Sequence, residues 1–122
     1  MWCRGVRGAT TADSNTREAI LEATKELLQS MVAANGIEVD DIACVMLTTS
    51  SDLNAEFPAV AARELGWSQV ALLCGHEMDV PGSLKSCLRI LLLFNTEKSA
   101  KEIVHVYVNG ATELRPSSSN KG

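Results

Sequence analysis

The chain of 122 residues has few of the features that mark metal, membrane or nucleic-acid proteins. Its two histidines and four cysteines are scattered, without the paired spacing of a zinc site, so we expect no metal and no cofactor. No apolar run approaches the roughly 20 residues of a membrane helix, and no secretion signal is recognisable near the first residues. We therefore expect a cytoplasmic protein whose cysteines are reduced and mostly buried.

Motifs for polymer binding and for covalent chemistry are also missing. A net charge of -4 without a basic stripe argues against a nucleic-acid partner. No Ser-His-Asp or Cys-His arrangement stands out, and the two glycines of RGVRGA, residues 4–9, lack the G-x-G-x-x-G order of a phosphate-binding loop. The composition favours a small-molecule partner.

Apolar periodicity predicts one domain, residues 1–116, followed by a loose polar tail, residues 117–122. Strands are predicted at residues 2–11, 42–48, 70–74, 84–94 and 103–108, and residues 112–115 are a candidate for a further short strand. A long helix is predicted between a cap at residues 13–15 and the stop signal Asn35-Gly36, and a second helix at residues 59–65.

The order β-α-β-α-β-β-β predicts an α+β (α/β-like) fold, a mixed β-sheet of about five strands with two main helices on one face. Several of these strands are apolar on both sides, and two helices can cover only one side. We therefore expect the second face of the sheet to be buried by self-association, most simply in a closed ring.

One residue conflicts with the apolar pattern. Arg89 lies within CLRILLLF, residues 87–94, a run that otherwise has the composition of an interior strand. Moving a guanidinium out of water costs several kcal/mol unless anionic partners replace the solvent, so Arg89 indicates an anion-binding site. Two other interpretations stay open: an ion pair with a carboxylate of the same chain, or a strand-end position with the guanidinium in water.

Other arginines lie in or beside predicted elements, namely Arg7, Arg63 and Arg115. Together with Arg89 they indicate a pocket for a small, multiply charged anion. Because the guanidinium fork matches carboxylates in a bidentate way, a dicarboxylate fits best.

Three further side chains are candidates for polar contacts in such a pocket. Tyr107, the single tyrosine, ends a predicted strand and offers a hydroxyl, and Glu77 close to Cys74 can accept a hydrogen bond from a substrate hydroxyl. Each also has an ordinary structural explanation: an edge aromatic, a solvated loop acid and a core thiol.

Seven sequence blocks follow one another in the order of a known family. They are RGVRGATT (4–11), DLNAEFPA (52–59), AARELGW (61–67), CGHEMDVPGSL (74–84), CLRI (87–90), HVY (105–107) and LRP (114–116). Over residues 1–116 the chain resembles the monofunctional chorismate mutases of the trimeric AroH class.

The resemblance implies a homotrimer in which three sheets pack into a pseudo-barrel, with active sites at the clefts between subunits. It implies the conversion of chorismate to prephenate in the shikimate pathway, towards phenylalanine and tyrosine. That reaction is an intramolecular Claisen rearrangement without a covalent intermediate or proton transfer, which agrees with the missing nucleophile and base.

The resemblance also implies roles for individual residues. Arg89 would face the ether oxygen of the substrate and touch a carboxylate, and Arg7 and Tyr107 would hold the side-chain carboxylate. Glu77 and Cys74 would fix the ring hydroxyl.

Further contacts follow from the same blocks. Phe57 and Leu114 would form apolar walls, and Arg63 and Arg115 would lie at the mouth of the site. Leu73 would be a substrate contact, although the family can have a small polar residue there.

Two other functions stay open at this point. One is a trimeric anion-binding or regulatory module with the same fold and no turnover, and the other is a trimeric imine deaminase. The joint presence of Arg7, Cys74, Glu77, Arg89 and Tyr107 argues against the first, and the seven blocks argue against the second. The chain departs from the family pattern at Val60 as well, where a lysine can occur.

Overall fold

The computed structural model describes residues 1–114, which form a mixed five-stranded sheet with two α-helices. The strands are β1 (Trp2–Thr11), β2 (Ile42–Thr49), β3 (Ala71–His76), β4 (Cys87–Thr96) and β5 (Val106–Tyr107), in the spatial order β3-β2-β4-β1-β5. Strand β4 is antiparallel to β1 and β2, while the outer pairs β2/β3 and β1/β5 are parallel. The predicted α+β class and order of elements are confirmed.

The helices are α1 (Arg17–Asn35) and α2 (Ala59–Glu64), and short 3-10 turns cover Val39–Asp41, Ala100–Glu102 and Asn109–Leu114. No helix in residues 1–114 has both the length and the apolar character needed to cross a bilayer. The second 3-10 turn begins with a capping box, in which Ser99 and Glu102 are bonded reciprocally.

Helix α1 covers one face of the sheet. It begins at Thr16, whose hydroxyl accepts the Ala19 N–H at 3.1 Å, one residue after the predicted cap, and it ends at Gly36 in the left-handed conformation. Its buried residues include Ile20, Leu21, Leu27, Leu28 and Met31. Leu27, Leu28 and Met31 belong to the main core, which also includes Val6, Val45, Leu47, Ile90 and Leu92, whereas Ile20 packs in a smaller cluster with Ala12 and Leu53.

The close approach of α1 to β1 depends on Gly8. A Cβ at this position would lie 2.4 Å from Met31 Sδ and 3.2 Å from Leu27 Cδ1, too close for an undisturbed core. The absence of a side chain at Gly8 therefore sets the distance between α1 and β1.

Strand alternation places the other side chains on the opposite face of the sheet. In β4 the residues Cys87, Arg89 and Leu91 point away from α1, and Met46 in β2 does the same. Arg89 and Leu91 are exposed in the single chain and Met46 is half-buried. This face, which we call the open face, carries both charge and large apolar side chains.

The last third of the chain differs from the sequence prediction. Strand β5 has two residues rather than six, and the candidate strand at 112–115 is wrong as far as Leu114, because those residues form a 3-10 turn. The turn begins at Asn109, whose φ of 53° leaves the extended region. The Gly110 N–H is then donated to Thr11 Oγ1, so a side chain of β1 replaces the backbone pairing that another strand would need.

Two smaller predictions also need correction. The strand predicted at residues 70–74 continues to His76 in β3. The cysteines are free, but only Cys87 is buried: Cys3 is exposed, and Cys44 and Cys74 are half-buried. Arg115 and the predicted tail at 117–122 lie outside the described residues.

Candidate active site

A pocket of about 320 Å³ lies on the open face and is formed by β1, β2, β4 and β5. The strand register explains its polar lining. Ala9 in β1 is paired with Arg89 on β4 and with Tyr107 on β5, and Arg7 lies two residues before Ala9 on the same side of the strand. The small side chain of Ala9 thus lies between two functional groups, and the walls are completed by Met46, Thr48, Glu77 and Leu91.

Neither arginine of this pocket is neutralised by an ion pair within residues 1–114. The ion pairs in that part of the chain join Met1 to Glu97 and link Arg17 and Lys25 on α1 to Glu56 and Glu64. Arg89 is therefore not held by a carboxylate of the described chain, which was one alternative explanation of its position. It faces the same space as Arg7 and Tyr107.

The nearest titratable neighbour of Arg89 along the strand is also uncharged. Burial raises the pKa of the Cys87 thiol, and the nearby Arg89 charge opposes that effect without reversing it. Because a thiol with a raised pKa is neutral at pH 7, Cys87 does not cancel the positive charge of the pocket.

Glu77 follows directly after β3 and is held in place from two directions. Its backbone N–H donates to the Thr49 carbonyl at 2.8 Å, and its carboxylate accepts a hydrogen bond from the hydroxyl of Thr48. Glu77 and Arg89 also line a second cavity of about 210 Å³, together with Ser50 and Met78. The structure therefore brings together four of the predicted residues: Arg7, Glu77, Arg89 and Tyr107.

The other predicted contacts lie elsewhere in the same chain. Phe57 and Cys74 line a separate cavity of about 300 Å³ with Leu53, Pro58 and His76. Alternation along β3 turns Cys74 towards the covered face, where it packs against the core, so its side chain does not join Glu77 in the Arg89 pocket.

Leu73 and Phe57 are large apolar side chains left in solvent. Leu73 is 66% exposed and Phe57 69% exposed, both at the β3 edge of the sheet. Arg63 is exposed at the last turn of α2, and Leu114 is half-buried at the end of the last 3-10 turn. Neither of these two lines the Arg89 pocket, and Arg115 lies outside the described residues.

Sequence reasoning missed two residues of the site. Thr48 lies within β2, and the alternation of that strand was enough to place it on the same face as Met46. His105 had no such signal, because its contact is made across 98 positions of the chain: its Nδ1 accepts the backbone N–H of Arg7 at 2.9 Å. Within residues 1–114, no group of three or more His, Cys, Asp or Glu side chains is placed to hold a metal ion.

One known protein family matches nearly the whole chain. The family model described as chorismate mutase type I matches residues 3–118. The chain belongs to this family. Its activity is therefore that of a chorismate mutase, an isomerase of aromatic amino acid biosynthesis that converts chorismate to prephenate.

Individual relatives span nearly the whole chain. The chain is 46% identical to chorismate mutase AroH of Thermus thermophilus over 114 residues, and the matched region covers 93% of each protein. It is 43% identical over 117 residues to chorismate mutase AroH of Bacillus subtilis strain 168, covering 95% of this chain and 92% of that protein. Among solved structures, a chorismate mutase from Clostridium thermocellum is similar with a TM-score of 0.90 and 48% identity, over 93% of this chain and all of the other.

Proposed function

We propose that chorismate binds in the pocket of the open face and that Arg7, Arg89 and Tyr107 recognise its two carboxylates and its ether oxygen. The observation that carries this proposal is the convergence of two guanidiniums and one phenol on a single pocket, with no carboxylate of the described chain paired to either arginine. A dicarboxylate supplies the missing negative charge.

The arrangement suits a rearrangement that needs no proton transfer. As the ether bond breaks, electron density grows on the oxygen, and a fixed guanidinium at that point is bound more strongly by the transition state than by the substrate. Arg89 fills this role because it is carried by a central strand. Arg7 and Tyr107 hold the side-chain carboxylate, so the enolpyruvyl arm stays folded over the ring and the reacting carbons remain close.

We propose that the site is completed by a second copy of the chain in a homotrimer. The predicted contacts divide into two groups: Arg7, Arg89 and Tyr107 surround one pocket, whereas Phe57, Leu73 and Cys74 lie at the β3 edge. One substrate touches both groups if the β3 edge of one subunit covers the open face of the next. The same contact buries Leu73, Phe57 and Leu91, which are exposed in the single chain.

Within this assembly, the ring hydroxyl of chorismate is assigned to Glu77 from one subunit and to Cys74 from the β3 edge of its neighbour. Because the Cys74 side chain points to the covered face, its contact is made by backbone groups of the edge strand. Phe57 and Leu114 supply apolar contacts, and Arg63 and Arg115 border the entrance. We further propose that residues 1–116 are one catalytic domain and that the enzyme acts in the cytoplasm, in keeping with its four free cysteines.

Incubation of the purified protein with chorismate tests the proposal. Loss of the ultraviolet absorbance of chorismate, with prephenate identified as the product, separates turnover from simple anion binding. Binding of chorismate without turnover at micromolar enzyme would favour the regulatory module instead.

A further inference from the structure

The backbone of β1 has an unusual partner at Arg7. Arg7 and Ala9 are two residues apart, so their backbone groups point to the same edge of β1, the edge that faces β5. At Ala9 the partner is backbone, since the Ala9 carbonyl accepts the Val108 N–H at 3.0 Å. At Arg7 the partner is a side chain, because the Arg7 N–H donates to His105 Nδ1 at 2.9 Å. The imidazole therefore extends the edge pairing to the residue just before β5 begins.

This hydrogen bond needs a neutral imidazole. Nδ1 accepts a proton donor only when it carries no proton itself, which leaves the hydrogen on Nε2. The surroundings favour that form: burial lowers the pKa of His105 from its ordinary value of 6.5, and the positive charge of Arg7 lowers it further. Protonation would set a donor against the Arg7 N–H and a second cation beside the guanidinium.

The segment that carries His105 is anchored on its other side by helix α1. Asn35 is buried, and its amide binds both backbone groups of Val104: Nδ2 donates to the carbonyl at 2.9 Å and Oδ1 accepts the N–H at 2.8 Å. The same Nδ2 also donates to the Met31 carbonyl at 2.9 Å. The residue before His105 is thus fixed to the helix.

The charged and titratable groups around the imidazole are few within the described chain. Arg7 faces it from β1, and helix α1 meets the segment through the neutral amide of Asn35. Tyr107 lies two residues later on β5, and the preceding 3-10 turn presents Lys101 and Glu102. The Glu102 carboxylate is turned away to the Ser99 N–H at 2.8 Å, so Arg7 is the charge that acts on the ring.

We propose that His105 is a positioning residue for Arg7, whose neutral ring holds β1 where the Arg7 guanidinium meets the substrate carboxylate. The inference rests on the proposed role of Arg7 in the pocket. A carboxylate contact exists in the bound substrate and in the transition state alike, so its misplacement raises KM more than it lowers kcat. A purely structural loss would instead reduce the amount of folded enzyme, leaving KM unchanged.

Two substitutions distinguish the role of His105 as a hydrogen-bond acceptor from the effect of its protonation. In His105→Asn, Oδ1 lies two bonds from Cβ as Nδ1 does, so it accepts the Arg7 N–H but does not titrate. In His105→Leu, the side chain has similar branching and no acceptor. We expect KM for chorismate at about pH 8 to stay within about threefold of wild type in His105→Asn and to rise about tenfold in His105→Leu.

The pH profile gives the second readout. The pKa of His105 lies below 6.5, so the ring becomes protonated as the pH falls from about 8 to about 5. KM of the wild-type enzyme should rise over this range, and the rise that is due to His105 should be absent from the profile of His105→Asn. A wild-type KM for His105→Leu, or an unchanged pH profile in His105→Asn, overturns the inference. If His105→Leu does not fold, judged by circular dichroism, the profile of His105→Asn decides alone.

Arg7→Ala, measured in parallel, distinguishes this inference from the proposal on which it rests. We expect its KM to rise more than that of His105→Leu. If Arg7→Ala raises KM and His105→Leu does not, the inference fails and the role of Arg7 stands. If Arg7→Ala has a wild-type KM, the role of Arg7 fails, and the inference fails with it.

Discussion

Arg89 shows how a single side chain can report a function before any fold is known. A guanidinium in an apolar strand needs an anion, and in the structure it faces a pocket beside Arg7 and Tyr107 rather than a carboxylate of residues 1–114. Its position in β4, opposite Ala9, makes it rigid because hydrogen-bonded strands lie on both sides. Rigidity matters here, since electrostatic catalysis depends on charge that is already in place.

We therefore expect Arg89→Lys to lower kcat on the order of 10²-fold, because lysine keeps the charge but loses the planar fork. The measurement is the steady-state loss of chorismate absorbance. Arg17→Lys is a matched control, since Arg17 is exposed on α1 and pairs with Glu56 outside the pocket. It should keep kcat near wild type. Near-normal turnover of Arg89→Lys would refute the assignment of Arg89 to the ether oxygen.

Other residues could be assigned to the site only in part from the sequence. Charge in and beside apolar strands indicated Arg89 and Arg7, whereas Glu77 and Tyr107 were predicted beside them by the family resemblance. Cys74 was assigned to the site by its motif. The order of motifs does not show to which face of the sheet a strand residue points, and in β3 the side chain of Cys74 points to the covered face. The His105 contact depends on a fold that brings residues 98 positions apart together, so local sequence gave no indication of it.

At the scale of elements, the sequence correctly predicted the helix and strands that have a regular apolar pattern. It did not predict where strand pairing ends when a side chain replaces the backbone partner. The helix α1 and strands β1, β2 and β4 have long apolar patterns, and all were predicted. Strand β5 was predicted too long. Its extent is set by His105 at one end and by the turn at Asn109 at the other. The apolar pattern of the sequence marks neither of these ends.

The packing of α1 on β1 gives a prediction about stability. Gly8→Ala should lower the free energy of unfolding by about 1–3 kcal/mol, because its Cβ would overlap Met31 in a fully buried layer. Chemical denaturation followed by circular dichroism measures the change. In the double variant Gly8→Ala/Met31→Ala the space is released, so its loss should be smaller than the two single losses added. Strict additivity would show that the two residues do not compete for space.

The junction between β2 and β4 gives a prediction about pH. The hydroxyl of Ser50 and the N–H of Ser86, which donates at 2.8 Å, lower the pKa of Asp52 below its ordinary value of 3.8. A lowered pKa means that the charged carboxylate stabilises the fold above pH 3.8 and that this contribution is lost as pH falls through the folded-state pKa. Ser86 has a φ of 53°, so the contact also holds a backbone that serine rarely adopts.

Asp52→Asn should therefore lower stability by about 0.5–1 kcal/mol at pH 7, a small value because the carboxylate is exposed. Thermal midpoints of both proteins, measured from pH 7 down to about pH 2, should converge below pH 3.8. A difference that does not depend on pH would mean that charge on Asp52 does not contribute.

At the scale of the whole molecule, the open face is the feature that a single chain leaves unexplained. Periodicity indicated strands apolar on both sides, and the structure places large apolar residues on the face that α1 does not cover. Helical cover is therefore incomplete in one chain. The pocket of Arg7, Arg89 and Tyr107 lies on this same face, so assembly and catalysis are expected to depend on one surface.

This dependence can be tested at the β3 edge. Leu73 is 66% exposed in the single chain, so Leu73→Glu costs the isolated subunit little, but in the proposed trimer it buries a charge against the neighbouring open face. We expect sedimentation equilibrium to give a trimer for wild type and a monomer for Leu73→Glu, with kcat/KM reduced at least about 10²-fold while circular dichroism keeps its wild-type form. Val39→Glu, an exposed apolar residue in the turn before β2, is the matched control and should remain trimeric and active. An active monomeric Leu73→Glu enzyme would show that one chain suffices for the site.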